Sequence, residues 1–327
     1  MDTMEQLLNV ENLKTYFKLM DSTVMAVDGV SFLINRGEAL GVAGETGSGK
    51  TVTVNSIMRN LPLNAYVTAD AITLEGIDLL SLSEKQLHSV WGKKIAMIFQ
   101  NPTSFINPLF TIEEQMTDVI CFHEKVKNKQ AVKTAREMLV LVGMPDPDVV
   151  LKSYPFQLSA GMIQRIMIAL SLSCNPSLLI ADEPTTALDV TIQAQILKLL
   201  GDIKAHTGGL ILITHNLAII KDICDRVVIM YAGKIVEWGD VHQVMYLPMH
   251  PYTKGLLDAI PRLNNQDKRL RYIPGNIPSA IDPPSGCRFS PRCMVAVPIC
   301  FEQEPPMCEK VPGHFVACYV IRKERGI

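Results

Sequence analysis

The chain has 327 residues, enough for two domains and a large core, and its formal net charge is −2. That balance, without a basic stripe, argues against a nucleic-acid-binding surface. Hydrophobic residues make up 48% of the chain, yet no apolar run reaches the roughly 18 residues that a membrane span needs. The N-terminus is acidic and lacks a hydrophobic signal core, so a cytosolic location is expected. An apolar excess without a span is typical of a protein that docks onto other subunits.

The first hundred residues predict short strands around a glycine-rich loop. Strands are expected at 6–17, 26–34, 38–43, 71–76 and 94–99. Residues 44–51 read GETGSGKT, and the sequence from 51 to 58 suits a helix that stops before Pro62. A strand, a glycine loop and a helix in this order are the context of a phosphate-binding loop.

The chemistry of this loop follows from its residue types. Glycines let successive N–H groups point at phosphate oxygens, and the helix N-terminus adds partial positive charge. Lys50 can reach the β- and γ-phosphates, and the Thr51 hydroxyl can ligate Mg²⁺. The predicted nucleotide-binding residues of the loop are Gly44, Glu45, Thr46, Gly47, Ser48, Gly49, Lys50 and Thr51.

The middle of the chain changes from strands to helices and back. Helical patterns at 112–122, 130–143 and 161–174 predict a helical insertion over about 102–175. Strands return at 177–181, 210–213 and 226–231, and a helix between the first two is expected to begin after Asp189 and end at Gly208. Strands that alternate with helices predict an α/β fold with a mostly parallel sheet covered on both faces.

Four polar side chains at the ends of predicted strands are candidates for the reaction site. Asp182 is placed to hold Mg²⁺, and the adjacent Glu183 can polarise a water for attack on the γ-phosphate. Gln100 can touch Mg²⁺ or the attacking water, and His215 can hold the γ-phosphate. Taken singly, Gln100 and His215 are weak signals, because a solvated Gln and a structural His are the commoner cases.

A second anion-binding helix terminus is predicted at 158–162, which reads LSAGM. Ser159 suits the N-cap position of the following helix, and Gly161 allows a close backbone approach.

Five of the eight cysteines crowd the C-terminal segment. In a cytosolic chain this favours a metal over disulfides, whereas Cys121, Cys174 and Cys224 are expected to be inert packing residues. The spacing lacks the tight pairs of zinc modules, while iron–sulfur clusters take four thiolates at more varied spacing. Free surface thiols are the alternative, and His314 is a distant sixth ligand candidate. The five are Cys287, Cys293, Cys300, Cys308 and Cys318.

The motifs together resemble the ATP-binding cassette (ABC) ATPases, which are P-loop NTPases. The resemblance implies ATP and Mg²⁺ as cofactors, with Thr51, Gln100 and Asp182 at the magnesium, and Glu183, His215 and Gln100 as catalytic residues. It also implies an aromatic side chain that stacks on adenine, best matched by Phe17, with Tyr16 the alternative. The matching elements are residues 44–51 (Walker A), Gln100 (Q-loop), 158–162 (signature), 182–183 (Walker B), 187–189 (D-loop) and His215 (H-loop).

Members of this family work as head-to-tail pairs. The resemblance implies a second ABC ATPase chain, expected to differ from this one in sequence. Ser159 and Gly161 of this chain would complete the ATP site of that second chain. Ala160 departs from the family signature, which has glycine there. If that position requires positive φ, alanine costs about 1 kcal/mol at the partner's site.

Further motifs resemble the dipeptide and oligopeptide importers. They lie at 101–109, 182–195 and 250–253, and in the cysteine pattern of 286–318. The resemblance implies an ATP-hydrolysing subunit at the cytoplasmic face of the membrane, two transmembrane permease subunits and, indirectly, an extracytoplasmic peptide-binding protein. It also associates four of the cysteines with a [4Fe–4S] cluster: Cys287, Cys293, Cys300 and Cys318.

The expected organisation is an ATP-binding domain over 1–250 and a small loop-rich iron–sulfur appendage over 251–327, which is proline-rich and short of large apolar residues. Nickel and oligosaccharide importers are alternatives within transport. An iron–sulfur assembly factor is an alternative outside it. The acidic balance and the lack of a long coiled-coil insertion disfavour a DNA-repair cassette protein.

Overall fold

The computed structural model describes residues 5–186, 188–204, 207–260 and 272–321. Residues 1–4 and Ala187, on which two of the sequence predictions rest, lie outside these ranges. The strands are β1 Gln6–Lys18, β2 Thr23–Asn35, β3 Glu38–Ala43, β4 Ala65–Thr68, β5 Ala71–Leu74, β6 Ile77–Asp78, β7 Ile95–Ile98, β8 Leu178–Asp182, β9 Gly209–Thr214, β10 Arg226–Tyr231, β11 Lys234–Asp240, β12 Cys308–Val311 and β13 His314–Val316.

Helices alternate with these strands along the chain, and the helices between β7 and β8 make up the predicted helical insertion. The helices are α1 Lys50–Ile57, α2 Glu84–Val90, α3 Ile112–Glu124, α4 Asn128–Leu141, α5 Pro147–Leu151, α6 Ala160–Leu172, α7 Val190–Ile203, α8 Leu217–Ile223, α9 Val241–Tyr246, α10 Pro251–Asp258 and α11 Ile299–Glu302. In the described part of the chain, none of them is long and apolar enough to cross a membrane.

The described residues form two compact units. The first unit takes residues 5–7, 34–39 and 81–213, and the second takes 8–33, 40–80, 214–260 and 272–321. In the first unit, β7 pairs in parallel with β8, and β8 with β9. All four residues of β7 and all five of β8 are buried. Apart from Asp182 these strands are apolar, and they are covered on both faces, as parallel strands usually are.

The helical insertion packs onto this sheet through α6. Ile168 and Ala169 of α6 are fully buried, and the Ser171 hydroxyl donates to the carbonyl oxygen of Met97 in β7 at 3.2 Å. Helices α3 and α4 pack against each other, and α4 packs against α6. The predicted helices 112–122, 130–143 and 161–174 are thereby confirmed to within two residues at each end.

The second unit contains two sheets, and antiparallel pairs dominate both. One sheet has the order β2-β1-β5-β6, with β4 paired antiparallel to β1. In the other, β3 pairs in parallel with β10, and β10 continues antiparallel through β11 and β13 to β12. The prediction of a mostly parallel sheet is therefore corrected to a mixed one. The parallel pairs β7–β8, β8–β9 and β3–β10 join strands that alternate with helices along the chain.

The C-terminal segment is less loop-rich than predicted, because it contributes β12 and β13 to the second sheet. Trp238 of β11 stacks on Phe315 of β13 with ring centroids 4.2 Å apart. Phe289, only 3% exposed, packs against Tyr231 and Tyr252. Strands β12 and β13 are only four and three residues long and lie among prolines, so an alternating pattern of apolar residues could not be recognised in them.

Candidate active site

The phosphate loop joins β3 to α1, and its backbone requires glycine. Gly44, Gly47 and Gly49 have φ values of +153°, +84° and +100°. A Cβ at Gly44 would lie 2.2 Å from the carbonyl oxygen of Met230, and one at Gly49 would lie 2.6 Å from that of Ala26. Positions 44 and 49 therefore need glycine for space as well as for conformation.

Lys50 lies at the start of α1 and is held by the loop that precedes it. Its side chain is buried, and Nζ donates to the carbonyl oxygens of Gly44 at 2.8 Å and Glu45 at 3.0 Å. Thr51 follows it on an exposed position of the first helical turn. The ammonium and the helix N-terminus thus bring positive charge to the same loop.

The Ser48 side chain supplies a test of whether this loop fits a phosphate ligand. Ser48 is fully buried, and among the described residues its hydroxyl has no hydrogen-bond partner. A buried hydroxyl ordinarily has one, and a phosphate oxygen is an acceptor of the right kind. The loop residues therefore fit the triphosphate of ATP.

Strand β1 separates the two candidate aromatic residues onto opposite faces. Thr15 is fully buried, and its hydroxyl lies 2.6 Å from that of Ser56 on α1. Because side chains alternate along a strand, Phe17 shares the α1-facing side with Thr15. Tyr16 lies on the other face, where its hydroxyl donates to Asp28 Oδ1 at 2.6 Å. Burial and this bond raise the pKa of Tyr16 to about 12. The placement favours Phe17 over Tyr16 as the adenine-stacking residue.

In the first unit, the predicted magnesium and catalytic acids lie at the end of β8. Asp182 is the last residue of the strand and is 3% exposed. Glu183 follows with φ +45°, a conformation that costs an L-residue roughly 1–2 kcal/mol. Its N–H donates to the carbonyl oxygen of Ile213 at 2.9 Å. Backbone strain of this kind turns the side chain in a direction that a regular strand would not give it.

The structure brings Gln100 and Glu183 together, as their predicted roles require. Gln100 is exposed just beyond the end of β7, and its Nε2 donates to Glu183 Oε2 at 3.1 Å. Thr186 Oγ1 donates to the same oxygen at 3.0 Å. Thr186 could not be predicted as a site residue, because a Thr three residues after an acid carries no motif signal of its own. Two donors fix the Glu183 carboxylate in the first unit.

The signature segment begins α6 with ordinary helical geometry. The Ser159 side chain caps the helix by accepting from the Met162 N–H at 3.3 Å, as predicted. Ala160 is the first helical residue and does not have positive φ, so the expected cost of alanine does not arise. A Cβ at Gly161 would lie 3.0 Å from Ile192 Cγ2 on α7, so Gly161 permits a close helix contact.

Two further predicted elements, at Asp189 and His215, lie in different units. Asp189 caps α7 by accepting from the Ile192 N–H at 3.0 Å, which confirms the predicted cap. The helix ends at Ile203, before Gly208, so the predicted stop at Gly208 is wrong. His215 is exposed in the second unit, immediately after β9.

The C-terminal thiols influence one another without closing into a metal site. Burial, together with the thiols of Cys300, Cys318 and Cys293, raises the pKa of Cys287 to about 11. Burial likewise raises the pKa of Cys293 and Cys318. Within the residues that the structure describes, no group of three or more His, Cys, Asp or Glu side chains is arranged to hold a metal ion. The predicted iron–sulfur appendage is therefore not shown by the described residues.

Two other candidates in this segment are placed differently. Cys308 lies in β12 opposite Val316 of β13. His314 is buried, with its Nε2 2.7 Å from Glu237 Oε1. Both are therefore engaged in the sheet.

Comparison with known proteins identifies the family. Residues 27–186 match the model of the ABC transporter family, and residues 236–300 match that of the oligopeptide/dipeptide transporter C-terminal region. The chain is 44% identical to the Bacillus subtilis oligopeptide transport ATP-binding protein AppD, over 98% of each chain. It is 46% identical to the Bacillus subtilis dipeptide transport ATP-binding protein DppD, over 97% of this chain and 95% of the relative.

A relative from another organism and one solved structure agree with this match. The Escherichia coli oligopeptide transport ATP-binding protein OppD is 43% identical over 96% of this chain and 93% of the relative. The dimeric structure of the bacterial ABC transporter cassette MJ0796 aligns with a TM-score of 0.64 at 23% identity, over 72% of this chain and 99% of that one, which shows the fold alone. The chain therefore belongs to the family of ATP-binding proteins of oligopeptide and dipeptide ABC transporters.

Proposed function

We propose that this chain hydrolyses ATP to energise the import of oligopeptides or dipeptides across the cytoplasmic membrane. The observation that supports ATP hydrolysis is the position of Glu183. This residue follows Asp182 with a strained backbone, and its carboxylate accepts hydrogen bonds from Gln100 and Thr186. A fixed carboxylate at a strand end suits a general base for water. The peptide substrate is inferred from the printed names of the relatives AppD, DppD and OppD.

Each site residue has a proposed role. The loop and Lys50 hold the triphosphate, and Phe17 stacks on adenine. Asp182, Thr51 and Gln100 would hold Mg²⁺, which would neutralise charge on the phosphates. His215 steadies the γ-phosphate while Glu183 orients and deprotonates the attacking water.

The partners are also proposals. A second ABC ATPase chain would use Ser159 and Gly161 of this chain to complete its own ATP site. Two permease subunits would contact the helical insertion and anchor the chain at the cytoplasmic face of the membrane. Exposed large apolar side chains in this stretch support such a contact. They include Phe105, Leu109, Phe110, Phe122, Val149, Tyr154 and Phe156.

Co-purification from detergent-solubilised membranes tests the transport assignment. We expect this chain to bring down two permease subunits and a second ATPase chain. After reconstitution with a peptide-binding protein, ATP hydrolysis should rise with added peptides and stay unchanged with nickel or oligosaccharides. Recovery of soluble iron–sulfur scaffold proteins without permeases would contradict the proposal.

We also propose a structural [4Fe–4S] cluster on Cys287, Cys293, Cys300 and Cys318. These four thiols lie close enough to act on one another: besides burial, which is the largest cause, the thiols of Cys300, Cys318 and Cys293 raise the pKa of Cys287. Iron would take the place of the thiol protons, because thiolates are the form that binds iron. The cluster would tie together segments that are distant in sequence.

Iron content and colour test the cluster separately from activity. Anaerobically purified protein should be brown and contain about four irons per chain. Cys318→Ser should lose the colour, whereas the matched variant Cys308→Ser should keep it. Colourless protein with one zinc, or the reverse outcome for these two variants, would contradict the assignment.

A further inference from the structure

Glu45, the second residue of the phosphate loop, is held at each of its polar groups. Its carboxylate accepts from Arg292, with Nη1 2.7 Å from Oε2 and Nη2 3.2 Å from Oε1. Its N–H donates to the Tyr252 hydroxyl at 2.8 Å. Its carbonyl oxygen accepts from Lys50 Nζ at 3.0 Å. Two residues from beyond position 250 therefore hold the same loop residue that holds the phosphate-binding lysine.

The Arg292 side chain is fixed from several directions. It is 9% exposed, and its Nε donates to the carbonyl oxygen of Pro274 at 2.9 Å. Nη2 also donates to the carbonyl oxygen of Ile273 at 3.1 Å, and Nη1 lies 3.3 Å from the Tyr231 hydroxyl. A bidentate guanidinium–carboxylate pair with such support is stronger and more directional than an exposed ion pair. It can set the position of Glu45.

Tyr252 is equally well placed. It lies in the first turn of α10 and is fully buried. Its ring packs edge-to-face on Tyr231, with centroids 4.7 Å apart. Because the hydroxyl accepts the Glu45 N–H, that amide is already used within the protein and is not among the donors left for a phosphate.

We propose that Arg292 and Tyr252 are positioning residues for ATP binding. They hold Glu45, and through its carbonyl oxygen they hold the Lys50 ammonium where the β- and γ-phosphates bind. Arg292 also neutralises a carboxylate that would otherwise repel the triphosphate. The C-terminal segment thus sets the nucleotide affinity of the loop. This inference rests on the proposed binding of ATP by that loop.

Titration of the full chain with the non-hydrolysable analogue AMP-PNP and Mg²⁺ tests the proposal. Arg292→Gln and Glu45→Gln should each weaken binding by about tenfold, the equivalent of roughly 1.4 kcal/mol. The double variant should lose little more than either single variant, because both changes break one contact. Tyr252→Phe should weaken binding in the same direction by a smaller factor.

Two further variants separate positioning from charge and from folding. Arg292→Lys keeps the charge but not the bidentate geometry, so it should restore less than half of the lost binding free energy. Glu302→Gln is the matched control: it neutralises an exposed carboxylate of α11, in the same C-terminal segment, and should leave affinity unchanged. In the assembled transporter, Arg292→Gln should raise KM for ATP and leave kcat within about twofold.

The outcomes distinguish this proposal from the proposed function. If the wild-type chain binds no nucleotide, both fail. If the wild-type chain binds and the Arg292, Glu45 and Tyr252 variants bind within twofold of it, only the positioning role fails. Additive losses in the double variant, or an equal loss in Glu302→Gln, would also overturn it.

Discussion

The phosphate loop and the signature segment both lead into a helix N-terminus, but they use glycine for different reasons. In the loop, Gly44 and Gly49 have positive φ, and a Cβ would meet backbone carbonyl oxygens at 2.2 and 2.6 Å. In the signature segment, Ala160 is helical, and Gly161 avoids a side-chain contact with Ile192 at 3.0 Å. A backbone carbonyl cannot move aside as a side chain can. The loop should therefore tolerate substitution far less than the signature segment does.

The helix that begins at the signature segment and the helix that contacts the phosphate loop differ in the side chain that caps their N-terminus. Helix α6 is capped by the Ser159 hydroxyl, which does not titrate in the physiological range. Helix α10, which carries Tyr252 to the phosphate loop, is capped by Nδ1 of the buried His250, which accepts the Tyr252 N–H at 3.1 Å. Acid should therefore weaken the support of the loop and spare the signature helix.

The largest expected effect is that of Gly49→Ala. It combines backbone strain at φ +100° with a clash against the Ala26 carbonyl oxygen, so the free energy of unfolding should fall by about 2 kcal/mol or more. ATP affinity should fall with it. Urea unfolding and nucleotide titration are the measurements. Gly47→Ala is the control, because φ is +84° but no described atom lies within 4 Å of its Cβ. Equal losses for both variants would show that space is unimportant at position 49.

The second effect is acid destabilisation through His250. Burial lowers its pKa to about 4, so the folded chain keeps this imidazole neutral while the unfolded chain takes up a proton below about pH 6.5. Stability should fall by about 2 kcal/mol between pH 7 and pH 5 from this residue alone. The loss should level off below the folded pKa. Urea unfolding at both pH values should show this extra loss in the wild type and not in His250→Asn, which keeps a capping side chain. Identical pH dependence of the two proteins would refute it.

A smaller effect is expected at the cap of α6. Ser159→Ala removes the acceptor for the Met162 N–H and should cost about 1 kcal/mol of stability at any pH between 5 and 7. Ser159→Asp should restore most of it, because an aspartate also caps helices and favours a helix N-terminus. Thermal and urea unfolding of the three proteins give the comparison. A pH-dependent loss in Ser159→Ala would remove the contrast with His250.

The smallest effect is that of Ala160→Gly. Because Ala160 has helical geometry, glycine relieves no strain and should lower the stability by less than about 1 kcal/mol. The nucleotide affinity of the isolated chain should stay the same. A gain in stability on this substitution would mean that position 160 carries strain after all.

Much of the difference between the phosphate loop and the signature segment could be predicted from the sequence. The eight residues 44–51 carry their own structural requirements, so the loop, its strand and its helix were predicted correctly. The Asp182–Glu183 pair and the helical insertion also followed from local patterns. The caps at Ser159 and Asp189 were predicted because a capping side chain acts only two or three residues away.

Features that depend on contacts between residues distant in sequence could not be predicted. The mixed sheet was missed because strand pairing depends on connections, not on periodicity, and β12 and β13 are too short for a clear signal. The contacts of Glu45 with Arg292 and Tyr252 join residues 247 and 207 positions apart, which no local pattern can indicate. The positive φ of Glu183 was likewise invisible, because an acid at a strand end looks the same in either conformation.

The direct test of the account is the turnover of Glu183→Gln in the reconstituted transporter. The amide keeps the shape of the side chain but cannot accept the proton of the attacking water, so ATP should still bind while hydrolysis falls by roughly 10²–10⁴-fold. Asp118→Asn, which neutralises an exposed carboxylate on α3, should hydrolyse ATP at the wild-type rate. Wild-type turnover in Glu183→Gln, or loss of nucleotide binding in that variant, would contradict the role given to the end of β8.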